Sequence, residues 1–155
     1  MKTTPSPKSQ KGSALLEALF AILIFSIGIL ALVGLQAVSI KNAIEAKHRS
    51  DASYMANQII SQMWVDRSNL NAYAHYETGT SCSFSGSASA NANVAGWITQ
   101  VGAVLPGTAA TKTQIQVTTP SADTRQVKVT VCWQSPREIA AGTFHNVATT
   151  AQINI

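Results

Sequence analysis

The sequence predicts an α+β fold, in which a long N-terminal helix packs through its second half on a small antiparallel β-sheet. Three patterns lead to this prediction. Residues 18–40 form an uncharged run, residues 52–63 show the apolar periodicity of a helix, and residues 112–155 contain segments that alternate apolar and polar residues. A chain of 155 residues has room for one modest domain besides an N-terminal segment.

The first element is the run Ala18–Ile40, which contains no Asp, Glu, Lys, Arg or His. As a helix it would extend about 34 Å, enough to cross a bilayer core of roughly 30 Å. A buried helix of a soluble domain is the alternative, but an uncharged run of this length near the N-terminus favours a membrane span. The run is also longer than the apolar region of about 7–15 residues in an ordinary secretory signal.

The positive charges are concentrated before this run. The formal net charge is +4, and Lys2, Lys8 and Lys11 supply three of those charges, which leaves +1 for residues 13–155. This asymmetry predicts that residues 1–12 lie in the cytoplasm and that the chain after the run lies outside the membrane. The small charge on the remainder argues against a nucleic-acid-binding surface.

The helix is expected to continue beyond the apolar run as one rod from Ser13 to about Trp64. Neither Pro nor Gly occurs between Leu35 and Leu70. Apolar residues recur there at i, i+3, i+4, i+7, i+8 and i+11, the pattern of a helix with one buried face. These residues are Ala52, Met55, Ala56, Ile59, Ile60 and Met63. We expect them, together with Trp64, to belong to the core.

Residues 77–96 are dominated by Ser, Ala, Gly, Asn and Thr, a composition that buries little surface and predicts a loop. The segment that follows places four apolar residues on one face of a second helix, which the Pro106-Gly107 pair should end. These four residues are Trp97, Val101, Val104 and Leu105.

The C-terminal third of the chain contains three strand-like segments, residues 112–119, 124–133 and 144–155. In the first two, apolar and polar residues alternate, and the intervening "PSAD" predicts an antiparallel hairpin. The third segment alternates less regularly. Together they predict the small sheet on which the second half of the long helix packs.

The two cysteines are Cys82, in the predicted loop, and Cys132, in the second strand-like segment. In a domain outside the cytoplasm an even pair favours a disulfide, which here would close a loop of about 50 residues. Two free buried thiols are the alternative.

The residues do not predict an enzyme. His48, His75 and His145 have no metal-ligand spacing relative to each other or to the cysteines. The seven carboxylates offer no plausible catalytic pair, and no G-x-S-x-G nucleophile motif occurs. We therefore expect no catalytic residue, no bound metal and no cofactor, and we interpret the histidines as surface or core residues.

Glu17 is a residue that a simple membrane anchor would not need. A carboxylate at the centre of a spanning helix costs about 2.5–3.5 kcal/mol, and somewhat less near an end. One interpretation places Glu17 at the headgroup boundary, where it favours the positive end of the helix dipole. The other starts from a cut after Gly12, which would leave the α-amino group of Ser13 one helical turn from Glu17. The amine and the carboxylate of neighbouring subunits would then neutralise each other in lipid.

The stretch "KGSALLE" resembles the type IV pilin signal, in which a basic leader, a Gly, a small polar residue and an apolar triplet precede a Glu. In that family, prepilin peptidase cleaves after the Gly and N-methylates the new first residue, and the Glu docks the subunit by pairing with a neighbour's N-terminus. The resemblance implies cleavage between Gly12 and Ser13, N-methylation of Ser13 and an assembly role for Glu17. Ser13 stands where major pilins usually have Phe, which argues for a minor subunit.

Later segments resemble, in order, the PilV-type minor pilins, which are low-abundance components of the type IV pilus initiation and priming complex. They are "IGILALVGLQ", "HRSDASYMANQIISQM", Trp97 with the following "LPG", and "VTVCW". The resemblance covers most of the chain from Gly12 to Trp133. It implies a pilin-like ladle, with a leader at residues 1–12, a transmembrane or filament-core half-helix at 13–40 and a periplasmic head at 41–155.

The resemblance also implies partners and a location. The expected partners are prepilin peptidase, other minor pilins, the major pilin and the inner-membrane assembly platform. The expected location is the bacterial inner membrane, with a cytoplasmic N-terminus and a periplasmic head, and then the pilus. A type II secretion minor pseudopilin shares the leader and the rod and is one alternative. An alternative of another class is a bitopic, membrane-anchored periplasmic binding domain that never polymerises.

Overall fold

The computed structural model of the protein describes residues 11–136 and 138–155, so most of the leader expected at residues 1–12 lies outside the described residues. Helix α1 spans Lys11–Val65 and helix α2 spans Ala92–Val104. The strands are β1 (Thr78–Thr80), β2 (Ser83–Ser85), β3 (Thr113–Ser121), β4 (Thr124–Trp133) and β5 (His145–Asn154). Short 3-10 helical segments lie at Arg67–Tyr73, Ala110–Lys112 and Ile139–Ala141.

This order of elements confirms the predicted α+β fold, a long N-terminal helix followed by a small antiparallel sheet. The predicted single rod from Ser13 to about Trp64 is confirmed as well, because α1 is continuous over 55 residues. The chain divides into two compact units, Met1–Ile44 and Glu45–Ile155.

In the first unit, α1 exposes every side chain from Ser13 to Ile44. Within the described residues, α1 is the one helix long and apolar enough to cross a membrane. The hydroxyl of Ser26 donates a hydrogen bond of 2.7 Å to the carbonyl of Ile22 one turn earlier, so this polar group is satisfied within the helix. A helix that is apolar on all sides is suited to lipid or to other apolar helices.

In the second unit, α1 buries one face. The predicted stripe is confirmed, since all six of its residues are buried in the core, namely Ala52, Met55, Ala56, Ile59, Ile60 and Met63. The prediction that Trp64 belongs to this core is wrong, because its side chain is 46% exposed. Successive side chains of a helix point in directions about 100° apart. The side chain of Trp64 therefore does not lie on the buried face that contains Met63.

The sheet has the order β3-β4-β5, and both neighbouring pairs are antiparallel. The predicted hairpin between β3 and β4 is present, with a two-residue turn between Ser121 and Thr124. Its register is irregular between Thr118 and Ser121. Pro120 lies in this irregular part of β3, an edge strand, where a residue without a backbone N–H is tolerated.

One face of the sheet belongs to the core. Its fully buried side chains are Ile115, Val127, Val129, Val131 and Ile153. Ile115 pairs with Val129, and Val131 pairs with Val147, so apolar side chains of adjacent strands lie side by side. They form one cluster with the α1 stripe and with residues of α2. The core of the second unit is therefore a layer between two helices and one sheet face.

The prediction of a loop over residues 77–96 is wrong in part, because β1 and β2 form an antiparallel hairpin there. Its turn residues, Ser81 and Cys82, have φ of 53° and 64°, in the left-handed region. Gly79 has φ of 91°, and a Cβ at this position would collide with the carbonyl oxygen of Ser83. Composition alone does not reveal this hairpin, since its turn lacks the Asn-Gly or Asp-Gly pair typical of two-residue turns.

Helix α2 also begins inside the predicted loop. The side chain of Asn91 accepts a hydrogen bond of 2.8 Å from the backbone N–H of Asn93, which caps the helix. Further along α2, the indole Nε1 of Trp97 donates a hydrogen bond of 2.8 Å to the carbonyl of Met55 on α1. This bond is buried, and it joins the two helices of the second unit.

The end of α2 departs from the predicted apolar face at one residue. Trp97, Val101 and Leu105 are buried, but Val104 is 41% exposed, so its predicted place on the buried face is wrong. Leu105 has extended backbone angles just beyond the helix, so it reaches the core from outside the helical pattern. The helix ends before Pro106-Gly107, as predicted.

We expect Trp97→Phe to lower the free energy of unfolding by about 1–3 kcal/mol, because it removes a buried hydrogen bond and part of a fully buried side chain. Trp64→Phe is the matched control and should change that free energy by less than about 0.5 kcal/mol, since Trp64 is half-exposed. Urea denaturation of the full chain in detergent micelles, followed by circular dichroism, measures both. Equal losses in the two variants would contradict the burial described here.

Candidate functional site

Glu17 is an exposed residue on the apolar part of α1. Its neighbours Leu16 and Phe20 are also exposed, as is the whole helix surface around it. Ser13 lies four residues before Glu17 in the same helix, and this spacing places the two residues on one helical face. Gly12 lies in the first turn of α1. The structure thus places the three predicted processing and assembly residues in consecutive turns of one helix, and their roles stay predictions.

The predicted disulfide between Cys82 and Cys132 is present, with its two Cα atoms 5.8 Å apart. Both residues are buried, and the alternative of two free thiols is therefore wrong. The bridge spans 50 residues and ties the turn of the β1–β2 hairpin to the central strand β4. In the chain-entropy description, a loop of this length corresponds to about 4 kcal/mol of stabilisation.

Polar contacts also hold the same hairpin. Lys112 Nζ donates a hydrogen bond of 2.8 Å to the carbonyl of Cys82 and lies 4.4 Å from the centre of the Phe144 ring. The side-chain amide of Gln114, on β3, donates hydrogen bonds to the carbonyls of Thr78 (3.3 Å) and Gly79 (3.4 Å) in β1. The hairpin therefore depends on both a covalent and a hydrogen-bonded attachment to the sheet.

His75 is a buried histidine with a structural role. Its Nδ1 accepts a hydrogen bond of 3.1 Å from the backbone N–H of Ser89, so its Nε2 carries the proton and donates to the carbonyl of Ala110, also at 3.1 Å. Burial lowers the pKa of His75 from its ordinary value of 6.5, and the hydrogen bond to Ala110 opposes this shift. The neutral ring thus satisfies two backbone groups, which agrees with the interpretation of this histidine as a core residue.

Two carboxylates and a histidine meet at a place that the sequence spacing does not indicate. His145 Nε2 lies 2.7 Å from Glu138 Oε2 and 3.8 Å from Glu45 Oε2. Glu45 is on α1, Glu138 immediately precedes the 3-10 segment Ile139–Ala141, and His145 opens β5. Ligand spacing among histidines and cysteines does not reveal this group, because two of its three members are glutamates and one of these, Glu45, is distant in sequence.

The described residues define a chain with one exposed apolar helix of membrane-spanning length that continues into a disulfide-linked α+β unit. The chain matches no protein-family model, no curated protein and no solved structure. The function is therefore inferred from the placement of its own residues.

Loss of the disulfide is expected to destabilise the second unit by about 4 kcal/mol, since the unfolded chain regains the freedom of a 50-residue loop. The test is urea denaturation of the full chain with and without a reducing agent, and of Cys82→Ser/Cys132→Ser. The double variant should be insensitive to the reducing agent and serves as the control. An unchanged midpoint on reduction of the wild-type protein would contradict a stabilising role for the bridge.

Protonation of His75 is expected to destabilise the fold in mild acid. In the unfolded chain His75 binds a proton near its ordinary pKa of 6.5, whereas in the folded chain its pKa is lower. The free energy of unfolding should therefore fall as the pH drops below 6.5 towards the lower pKa of the folded state. Denaturation curves between pH 7.5 and 5 measure the slope. In His75→Gln the slope should be smaller than in the wild type. An unchanged slope in His75→Gln would rule out this residue as the source.

Proposed function

We propose that the chain is a minor pilin subunit of a type IV pilus, of the PilV type, which acts in the initiation and priming of pilus assembly. Through assembly it serves pilus biogenesis, twitching motility and adhesion. The observation that carries the proposal is Glu17, a carboxylate exposed on an apolar helix and four residues after Ser13.

Within the membrane, Glu17 requires a positively charged group from another molecule as its partner. In hydrocarbon, an unpaired carboxylate costs several kcal/mol, so a spanning helix keeps one where a partner neutralises it. Cleavage between Gly12 and Ser13 would create an α-amino group at the end of each helix. The amine of one subunit would pair with Glu17 of its neighbour, and prepilin peptidase would both cut the chain and methylate Ser13.

The exposed apolar surface of α1 supports the same proposal. Side chains such as Leu15, Phe25 and Leu30 are mostly exposed and point away from the helix on different sides. A surface of this kind contacts lipid while the subunit is in the membrane, and it contacts the helices of other subunits in a filament. One surface thus serves both surroundings, which suits a subunit that leaves the inner membrane for the pilus.

The charges and the disulfide together support an orientation. The three lysines among residues 1–12 favour a cytoplasmic N-terminus. The Cys82–Cys132 bridge favours an oxidising compartment for the second unit, which in this topology is the periplasm. The partners would be prepilin peptidase, the other minor pilins, the major pilin and the inner-membrane assembly platform. The small Ser13 favours a minor rather than a major subunit.

We expect Glu17→Ala to be cleaved and methylated at Ser13 but to fail in assembly, because the neighbour's amine loses its partner. The measurements are the mass of the N-terminal peptide from native membranes, and pilus number and twitching in a deletion strain that expresses the variant. Ser26→Ala changes another exposed residue of the same apolar run whose hydroxyl bonds only within the helix, and it should restore pili fully.

The same strains distinguish the alternatives. An intact leader, or normal pilus number with Glu17→Ala, would contradict the proposal and favour a membrane-anchored binding domain. Loss of enzyme secretion on deletion, with normal pili, would instead favour a type II secretion minor pseudopilin.

A further inference from the structure

We propose that Glu45, Glu138 and His145 form a binding site for a divalent transition-metal cation of the Zn²⁺ class. One carboxylate oxygen of each glutamate and a ring nitrogen of His145 all lie within 4.8 Å of one another. The three residues belong to the second unit, and they come from α1, the segment before Ile139 and the first position of β5. The site is distinct from Glu17 and does not depend on the assembly role proposed for it.

The distances suit a small cation after a minor adjustment. In tetrahedral coordination with bonds of about 2.0–2.2 Å, neighbouring ligand atoms are about 3.3 Å apart. His145 Nε2 is now 2.7 Å from Glu138 Oε2 and 3.8 Å from Glu45 Oε2, so the two distances lie on either side of this value. Each would change by less than about 1 Å, which rotation of the carboxylate groups can supply.

The ligands are held by the fold. The ring of Trp133 stacks on the ring of His145 at 5.7 Å between centroids and an angle of 24°, and the two residues are paired in the β4–β5 ladder. Trp133 is 1% exposed, so this platform is fixed. Glu45 lies within the long helix α1. Two of the three ligands therefore sit on regular elements, which limits the reorganisation that binding requires.

The charge and the donor set select the cation. With a neutral imidazole, the two carboxylates place two negative charges within a few ångströms, and a divalent ion balances them. Imidazole nitrogen is a good ligand for Zn²⁺, whereas Ca²⁺ takes six to eight oxygen ligands, which this group does not offer. Arg49 lines the adjacent cavity of about 350 Å³, and its charge moderates the affinity for any cation.

The surroundings leave room for a further ligand on the metal. The side chains of His145 and both glutamates are 23–31% exposed, so water reaches the group. Trp133 lines the same cavity, and its buried indole Nε1 has no hydrogen-bond partner among residues 11–136 and 138–155. A water molecule or anion that completes the coordination of the metal would offer a hydrogen-bond acceptor to the indole N–H of Trp133.

The test is isothermal titration of untagged, chelator-stripped full chain in detergent micelles with ZnCl₂, together with the Zn²⁺-dependent shift of the thermal unfolding midpoint. We expect one Zn²⁺ per chain and a raised midpoint. His145→Ala and Glu138→Gln should each weaken binding at least about tenfold. His48→Ala, which removes a histidine of α1 outside the group, is the matched control and should bind like the wild type.

Several outcomes would overturn the site. They are no Zn²⁺ binding by the wild type, unchanged binding in Glu138→Gln, or tighter binding of Ca²⁺ than of Zn²⁺. Glu138→Gln is nearly isosteric and Glu138 is only partly buried, with 24% of its side chain exposed, so this variant tests the site even if His145→Ala fails to fold. A wild type that binds no metal would leave the three residues as a hydrogen-bonded ion group. Glu17→Ala should bind Zn²⁺ normally, so failure of the assembly proposal would leave this result unchanged.

Discussion

The packing of the α1 stripe on the sheet is the contact on which the second unit depends. Ala52, Ala56, Ile59 and Met63 are completely buried and belong to the same core cluster as the sheet face. A sheet with one apolar face must bury that face against another element, and here the α1 stripe belongs to the core that covers it. The bond from Trp97 to α1 then adds the second helix to the same core.

Helix α1 meets different surroundings along its length without a break in its backbone hydrogen bonds. Its residues from Ser13 to Ile44 are exposed and mainly apolar on all sides, whereas from Ala52 one apolar face is buried and the exposed faces carry mostly polar residues. A continuous helix satisfies its own N–H and C=O groups in hydrocarbon and in water alike. Only the side chains, and not the backbone conformation, therefore need to differ between the apolar part of α1 and the part that belongs to the second unit. Gly28 and Gly34 do not interrupt the helix.

The periodicity of apolar residues predicted those parts of the fold in which the buried residues recur with the spacing of a regular helix or strand. The stripe of α1 and both ends of β4 were accessible from the sequence for this reason. The disulfide was predicted on another ground, the even number of cysteines in a domain expected outside the cytoplasm. Trp64 and Val104 were misplaced because an apolar residue near a buried face is not necessarily on it. The β1–β2 hairpin was missed because its conformation at Ser81 and Cys82 is imposed by tertiary contacts, and the group around His145 because it forms only when distant segments meet.

The placement of the disulfide also imposes an order of events on synthesis. Cys82 is in the first hairpin of the second unit and Cys132 is in its central strand, 50 residues later. During synthesis from the N-terminus, the bridge cannot close until the chain has been made as far as β4. Closure of the bridge is thus a late event that marks a nearly complete second unit, and a chain stalled before β4 would carry Cys82 as a free thiol.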